Sequence, residues 1–301
     1  MRIAVCHLVR ACNGEDALRS FMDSYEAFPA GVEHDLVVIF KGFERPDELT
    51  AHRRRLAGHP FSEVHVPDDM QDIGAYAAAG QALDHEVVCF LNSFSTVQSP
   101  DWLAHLSGVL NQPGVELVGA TGSWGSHRSY ALHLLGFETP YRDVLPGRVA
   151  ERATFDDMTA GAPRNRLRSL AKTATGLPGE ILGHAPFPNP HVRTNAFLLR
   201  RDAFLGIADH VVRRKSAAYR FEAGTRGLTA RTLGGGDGVR IVGAGGTAYA
   251  PCDWPDVDIY FQGNQGELLV ADNLTRSYQA AAAPARRLLS SLAWGARARP
   301  A

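Results

Sequence analysis

Short apolar segments alternate with helical patterns over the first 120 residues, and this alternation constrains the fold more than any other feature. Asp35-Leu-Val-Val-Ile-Phe40 is apolar after its first residue, as expected for a strand that is covered on both faces. Strands are predicted at residues 3–9, 35–40, 62–66, 86–91 and 115–120, and helices at 15–28, 46–57, 73–83 and 100–110. Strand–helix–strand repeats of this kind predict an α/β domain with a twisted, mostly parallel sheet flanked by helices.

The second half of the chain is less regular. Between about residues 122 and 189 the alternation is lost, and we interpret this helical and irregular segment as an insertion that covers a cleft. Order returns with a predicted strand at 192–199, a helix at 221–233 and a strand at 239–243. Because we find neither an internal repeat nor a clear linker, we predict one domain over residues 1–279 and a basic amphipathic tail over 280–301.

The composition argues against several classes of function. A formal net charge of −1 and a pI near 6.9 give no electrostatic footprint for nucleic acid. The four cysteines form no CxxC pair, which argues against a zinc or thiol-redox site. The amino terminus lacks a signal-peptide pattern, and no apolar run approaches the ~18 residues that span a bilayer, so we expect a cytoplasmic protein.

Four motifs lie at or after predicted strands. They are Asp72-Ile-Gly-Ala-Tyr76, Phe90-Leu-Asn-Ser-Phe-Ser-Thr96, the segments 192–202 and 219–226 taken together, and Tyr249-Ala-Pro-Cys-Asp-Trp254. In this order they resemble the nucleotide-sugar glycosyltransferases of the GT-A fold, within which the chain is most similar to family-2-like and rhamnan-synthesis-type enzymes. The resemblance implies a Rossmann-like GT-A sheet. It also implies an enzyme that moves a sugar from a nucleotide-sugar donor to a hydroxyl of a glycan or glycolipid acceptor, in bacterial surface polysaccharide or glycoconjugate synthesis.

The first motif places Asp72 and Gly74 at the predicted start of a helix. A glycine there permits close approach of the backbone, and the free N–H groups of a helix start attract an anion. The resemblance implies that both residues border the nucleotide pocket. The alternative is that Asp72 only caps its helix, because Asp is a preferred cap residue in any context.

The second motif departs from the family. Related enzymes carry Asp-x-Asp at the end of this strand, where it holds the divalent ion that bridges the donor diphosphate. The corresponding residues here are Asn92, Ser93 and Ser95, with no carboxylate among them. Amide and hydroxyl oxygens alone are poor ligands for magnesium or manganese, so we predict a donor site at this strand end without a bound metal.

The third motif supplies the candidate catalytic residue. The resemblance places Glu222 at a helix start, as the base that deprotonates the acceptor hydroxyl; a sugar hydroxyl is a poor nucleophile and needs such a base. The alternative is an ordinary Glu in the first turn of a helix. Arg226 follows as a candidate to neutralise the diphosphate leaving group, its alternative being a solvated helix arginine.

The fourth motif contains Trp254, which the resemblance places in a loop over the donor. An indole ring stacks well on the apolar face of a sugar, but a lone tryptophan is more often part of a core.

Two other functions compete with this interpretation. Residues 239–246 run from a predicted strand into glycines, but Pro251 follows too soon for the helix that a dinucleotide-binding fingerprint requires. A second alternative is a catalytically inactive GT-A-like subunit that binds a sugar or nucleotide or acts as a scaffold.

The tail combines leucines and a tryptophan with four arginines over residues 284–299. This pattern is typical of a terminal helix that packs its leucines on the domain, which we favour. It is also found in helices that lie on membranes, so weak, salt-sensitive peripheral contact with anionic lipid is the alternative.

Overall fold

The structure is a computed structural model of the 301-residue chain. It describes residues 1–145, 178–208, 214–233 and 238–301. Much of the predicted insertion, residues 146–177, therefore lies outside the described part of the chain.

The amino-terminal half alternates strands and helices in the predicted order. Its elements are β1 (Ile3–Arg10), α1 (Gly14–Ala27), β2 (Asp35–Lys41), α2 (Pro46–Arg55), β3 (Phe61–Val66), α3 (Asp72–Ala82), β4 (Val87–Leu91), β5 (Thr96–Val97) and α4 (Trp102–Leu110). Strand β1 pairs in parallel with both β2 and β4, and β2 pairs in parallel with β3. Because successive parallel strands need a crossover, the intervening helices cover the sheet.

Most of the later strands are shorter. They are β6 (Leu117–Gly119), β7 (Gly122–Ser123), α5 (His127–Leu134), β8 (His191–Val192), β9 (Ala196–Arg200), α6 (Arg201–Ile207), α7 (Lys215–Ala223), α8 (Leu228–Leu233), β10 (Val239–Val242), β11 (Ala248–Tyr249), β12 (Val270–Ala271), α9 (Asn273–Ala280) and α10 (Ala283–Trp294). Residues 178–183 are also helical. Two two-stranded sheets, β12–β5 and β7–β8, accompany the main sheet.

The main sheet has eight strands in the order β11-β10-β6-β9-β4-β1-β2-β3. Strand β9 runs antiparallel to both β4 and β6, and β11 runs antiparallel to β10; the other pairs are parallel. The predicted α/β fold, a mostly parallel sheet flanked by helices, is confirmed. Strand β9 is antiparallel because the chain enters it at the edge of the sheet where β4 ends. There the carbonyl oxygen of Asn195, just before β9, accepts a hydrogen bond from the N–H of Asn92 in the loop after β4.

Both faces of the sheet are buried. Alternate residues of β1 contribute to two large hydrophobic clusters, with Ala4 and Cys6 in the cluster that includes α3 and with Ile3 and Val5 in the cluster that includes α1 and α4. This two-sided burial is the reason that the strands appear in the sequence as continuous apolar runs.

Two predicted elements are each divided in the structure. The predicted strand 192–199 becomes β8, which pairs with β7, and β9, which joins the main sheet. The predicted helix 221–233 becomes α7 and α8, with a turn over residues 224–227. A Cβ on Gly227 would lie 2.5 Å from the carbonyl oxygen of Phe221, so only glycine permits this close turn.

The tail packs on the domain. Leu288, Leu289 and Trp294 of α10 are buried, and the indole Nε1 of Trp294 donates to the carbonyl oxygen of Tyr260 at 2.6 Å. This is the arrangement that the sequence favoured, and it leaves few apolar side chains for a membrane; vesicle binding by the tail stays a prediction. Among the described residues, no helix has the length and apolar character to cross a bilayer.

Candidate functional site

The carboxyl ends of β1 and β2 bring two cations together. Arg10 ends β1, and Lys41 ends β2 with only 2% of its surface exposed. Both face the Asp68 carboxylate: the Lys41 ammonium donates to Asp68 Oδ1, and Arg10 Nη2 lies 3.6 Å from the same oxygen. The hydrogen bond from Lys41 holds the pKa of Asp68 below its ordinary value. Two cations therefore meet at this sheet edge, and the Asp68 carboxylate balances one of them.

Asp72 lies beside the same two cations at the first position of α3. Gln71 is the cap residue of this helix, and Asp72 follows it as the acidic residue of the first turn, where the helix dipole favours a carboxylate. Burial raises the pKa of Asp72, and the charges of Arg10 and Lys41 oppose the shift. Gly74 lies buried in the same first turn. Both predicted residues thus adjoin the cationic edge.

The loop after β4 is tied to the strand end by its own polar groups. Asn92 Oδ1 accepts hydrogen bonds from the backbone N–H of Phe94 at 2.9 Å and from Ser95 Oγ at 3.1 Å. Ser93 and Ser95 are 3% and 1% exposed, whereas Phe94 is exposed. The loop is at the predicted place, but only Asn92 and Phe94 reach its surface; the two serines, expected to line a donor pocket, face inward.

These residues fit a divalent metal poorly. The oxygens of Asn92 and Ser95 are already used within the loop, and hard cations prefer carboxylate ligands. The nearby carboxylate of Asp272 is fully buried and bonded to Arg193 Nη2 at 2.7 Å. Within the described ranges, no group of three or more His, Cys, Asp or Glu side chains is arranged to hold a metal ion.

A cation lies over the loop instead. Arg276 of α9 donates from Nη1 to Thr96 Oγ1 and from Nη2 to the carbonyl oxygen of Phe94, each at 3.1 Å. The start of α9 is fixed by Asp272, whose side chain and that of Thr275 form a capping box. Arg276 is exposed and so presents positive charge beside the loop after β4.

A buried ion pair supports this helix. The guanidinium of Arg193 pairs with Asp272 and lies 4.0 Å from the centre of the Tyr260 ring. Burial alone would raise the pKa of Asp272, yet Arg193 and Thr275 outweigh it and hold that pKa below its ordinary value. The pair therefore joins the segment before β9 to the segment before α9 in the dry interior.

Glu222 lies at the same edge of the sheet. One carboxylate oxygen, Oε2, accepts a hydrogen bond from the backbone N–H of Thr194 at 2.7 Å and another from the Thr194 hydroxyl. The next residue, Asn195, accepts a hydrogen bond through its carbonyl oxygen from the N–H of Asn92 at 2.9 Å. Consecutive residues thus connect Glu222 to the loop after β4.

The position of Glu222 corrects one expectation. It belongs to the last turn of α7 rather than the first turn of a helix, so the helix dipole does not stabilise it. The pKa of the buried Tyr76 phenol is raised, mainly by burial and also by the nearby charges of Asp72 and Glu222. Both carboxylates therefore lie within electrostatic range of one phenol.

Two predicted donor contacts are placed differently from expectation. Trp254 is fully buried, its Nε1 donates to the carbonyl oxygen of Tyr249 at 2.9 Å, and its ring covers Gly122. The structure therefore puts Trp254 in the core, where a sugar does not reach its ring. Arg226 is exposed in the turn between α7 and α8 rather than within a continuing helix, four residues after Glu222.

Several residues of this edge were missed in the sequence. The predicted strand 192–199 includes Arg193, Thr194 and Asn195, whereas in the structure these three residues form the segment that joins β8 to β9. Arg276 had a usable signal, because the preceding Asp272-Asn-Leu-Thr275 has the pattern of a capped helix start.

No model of a protein family matches the chain, and no curated protein matches it. The chain is similar to the solved structure of glucosyl-3-phosphoglycerate synthase from Mycobacterium tuberculosis with Mn2+, UDP and glucosyl-3-phosphoglycerate. The identity is 18% over 60% of this chain and 78% of that chain, with a TM-score of 0.35. A mannosyltransferase from Pyrobaculum calidifontis with GDP-Man and Mn2+ matches at 14% identity over 60% of this chain and 62% of that chain, with a TM-score of 0.35.

A third similar structure is CMP:2-keto-3-deoxy-manno-octonic acid synthetase with CTP, at 11% identity over 80% of this chain and 89% of that chain, with a TM-score of 0.39. The glycosyltransferases among these structures are of the GT-A type that the sequence motifs resemble. At such identities and TM-scores the likeness assigns no function and no residue to this chain, and the α/β fold rests on the sheet described above.

Proposed function

We propose that this chain is a nucleotide-sugar-dependent glycosyltransferase whose catalytic base is Glu222. The observation that carries the proposal is that Thr194 donates two hydrogen bonds to Glu222 Oε2. The next residue, Asn195, accepts a hydrogen bond from the loop after β4. Both hydrogen bonds from Thr194 go to Oε2, and Glu222 keeps part of its surface exposed, so we assign the proton of the substrate to Oε1. A carboxylate fixed in this way is suited to general base catalysis.

The donor would lie across the carboxyl ends of β1, β2 and β4. The cationic edge of Arg10 and Lys41 lies beside Asp72, and Arg276 covers the loop at Asn92. Ligands of open α/β sheets bind beyond the carboxyl ends of strands, which is where these groups converge. Positive charge from Arg276, and from the exposed Arg226, would stabilise the nucleoside diphosphate as it leaves.

In the reaction, the proton of the acceptor hydroxyl passes to Glu222 Oε1 as the acceptor oxygen bonds to the anomeric carbon. The bond from that carbon to the donor phosphate oxygen breaks, and the electron pair leaves with the nucleoside diphosphate. An acceptor in bacterial glycan or glycolipid synthesis is consistent with this step, in which a hydroxyl is the nucleophile.

The decisive experiment replaces Glu222 with Gln, which keeps the shape of the side chain and removes the base. We expect turnover to fall on the order of 10²–10⁴-fold, with donor affinity nearly unchanged. A thermal-shift screen against UDP, GDP, CMP and dTDP sugars identifies the donor, and donor consumption measures turnover.

The matched control is Glu116→Gln, which changes an exposed Glu directly before β6. Wild-type turnover in Glu222→Gln would refute the assignment of the base. Nucleotide binding without any turnover in the wild type would favour the inactive binding subunit instead.

A further inference from the structure

The loop after β4 offers a metal ion no charged ligand. Residues 87–100 contain neither Asp nor Glu. Asn92 Oδ1 already accepts a hydrogen bond from the backbone N–H of Phe94, and Ser95 Oγ donates to the carbonyl oxygen of Asn195 at 2.9 Å. Because hard divalent cations bind best where carboxylates replace their water, this loop by itself is a poor site for one.

The carboxylates around the loop are committed to other groups. Asp272 is fully buried within an ion pair, and Asp68 accepts a hydrogen bond from the Lys41 ammonium. The Asp72 carboxyl lies within electrostatic range of Lys41, so a metal ion on its oxygens would meet like charge. Glu222 is anchored through Oε2 and serves the acceptor hydroxyl in the proposed function. These carboxylates therefore do not make up for the missing ligands of the loop.

Arg276 is brought to this loop by the pairing of β12 with β5. Thr96 of β5 pairs with Ala271 of β12, and α9 begins two residues later at Asn273. In the first turn of α9, the Arg276 guanidinium donates to Thr96 Oγ1 and to the carbonyl oxygen of Phe94, each at 3.1 Å. The short sheet and these two hydrogen bonds thus fix the side chain against the loop.

The hydrogen-bond partners of Arg276 leave its charge available. Both acceptors are neutral groups, and Asp272, four residues earlier, pairs with Arg193 instead. A guanidinium has five N–H groups, so these two hydrogen bonds leave others that can donate to a phosphate. Arg276 is also exposed, so a ligand at the surface of the loop reaches it without entering the interior.

We propose that the donor diphosphate binds at this loop without a divalent metal, and that the Arg276 guanidinium supplies the positive charge in its place. The proposal rests on the proposed function and specifies the donor as a nucleoside diphosphate sugar. A planar guanidinium donates two parallel hydrogen bonds to a phosphate and stays charged at neutral pH. When the bond to the anomeric carbon breaks, the electron pair leaves with the diphosphate, and its new negative charge faces this cation.

The test is calorimetric titration of the full-length protein with UDP, GDP, CDP and dTDP, in excess EDTA and again in excess MnCl₂. We expect at least one of them to bind in EDTA, with an affinity that Mn²⁺ raises by less than about twofold. Electron paramagnetic resonance of Mn²⁺ is the second measurement. Protein added to Mn²⁺ and that nucleotide should not reduce the signal of free Mn²⁺.

Two variants, titrated in EDTA, test the assignment to Arg276. Arg276→Gln removes the charge and should weaken nucleotide binding about tenfold. Arg276→Lys keeps the charge without the planar fork and should lose less. The matched control is Arg287→Gln, on the exposed side of α10. Full affinity in Arg276→Gln would overturn the assignment.

The wild-type comparison needs no variant, so it decides the question even if Arg276→Gln does not fold. A gain in affinity of about tenfold or more with Mn²⁺ would overturn metal-free binding and leave the glycosyltransferase proposal standing. Selective binding of a CMP sugar in the thermal-shift screen would have the same meaning, because its donor phosphate is single. If no nucleotide or nucleotide sugar binds in either condition, the proposed function fails together with this inference.

Discussion

The two halves of this molecule are built on different interactions. In the first half, the parallel strands β1, β2 and β4 are buried on both faces, and apolar contacts hold them together. Between residues 190 and 280, strands of two to five residues and short helices are joined by side-chain hydrogen bonds and one buried ion pair. The first half is a platform, whereas the second half supplies Glu222, Arg276 and the segment that positions them.

This contrast indicates where substitutions act. Apolar burial is spread over many side chains, so a volume-conserving apolar substitution in the platform usually costs less than about 1.5 kcal/mol. A polar network depends on each member, because loss of one partner leaves another buried group uncompensated. The following predictions test that difference.

The largest effect on stability is expected at the ion pair of the second half. Arg193→Met leaves the Asp272 carboxylate buried without its partner, which typically costs about 3–5 kcal/mol. Urea unfolding measures the loss, and hydrogen exchange should show it first in α9 and residues 192–195. The double variant Arg193→Met with Asp272→Leu should recover part of the loss. A loss under about 1 kcal/mol for the single variant would contradict the contrast between the halves.

In the platform, His7 provides a sharper test through pH. This β1 residue is fully buried, its ring stacks on Phe21 at 3.7 Å, and neither ring nitrogen has a hydrogen-bond partner among the described residues. Burial lowers the pKa of His7 to about 3 from its ordinary 6.5. Below pH 6.5, His7 therefore binds a proton in the unfolded chain but stays neutral in the folded chain. The free energy of unfolding falls as the pH drops from 6.5 towards 3.

Between pH 7 and pH 5 this difference amounts to about 2 kcal/mol of the free energy of unfolding. His7→Leu should remove that part of the pH dependence, while His65→Leu, at a half-exposed position of β3, should keep it. Unfolding curves at the two pH values measure both. An equal change in the free energy of unfolding between the two pH values in the wild type and in His7→Leu would show that His7 does not stay neutral in the fold.

The smallest effect is expected at Arg276, where the halves meet. Arg276→Ala should weaken nucleotide binding about tenfold, on the order of 1.4 kcal/mol, because one charged contact to the diphosphate is lost. Calorimetric titration with the nucleotide found in the screen measures the change. Arg287→Ala, on the exposed side of α10, is the control. Unchanged affinity in Arg276→Ala would place the diphosphate elsewhere.

The sequence predicted the platform well because two-sided burial leaves a direct pattern. Strands β1, β2 and β4 appear as apolar runs, and the site edge follows from where those runs end. The loop at Asn92 was therefore found. Its serines were expected to face the donor, but Ser95 donates to the backbone carbonyl of Asn195 instead. The sequence around a serine does not show whether its hydroxyl will bind a ligand or a backbone carbonyl.

Residues of the second half were harder to place. Trp254 fills the space over Gly122, a partner more than 120 positions earlier that no local pattern connects to it. The division between α7 and α8 depends on tight packing at Gly227, whereas the apolar spacing continues across it.

The antiparallel entry of β9 has a consequence for how the chain is made. Among the strands of the main sheet, β6 is the next after β4 in the chain, yet the strand that separates them begins at Ala196, 77 positions after β6 ends at Gly119. Until synthesis has passed residue 200, the edges of β4 and β6 that face β9 are therefore unpaired in the growing chain. Late, long-range pairing of this kind slows folding and exposes nascent chains to mispairing. Strand β9, which fills the gap between β4 and β6, directly follows Thr194 and Asn195, so filling the gap also brings these two residues to the site.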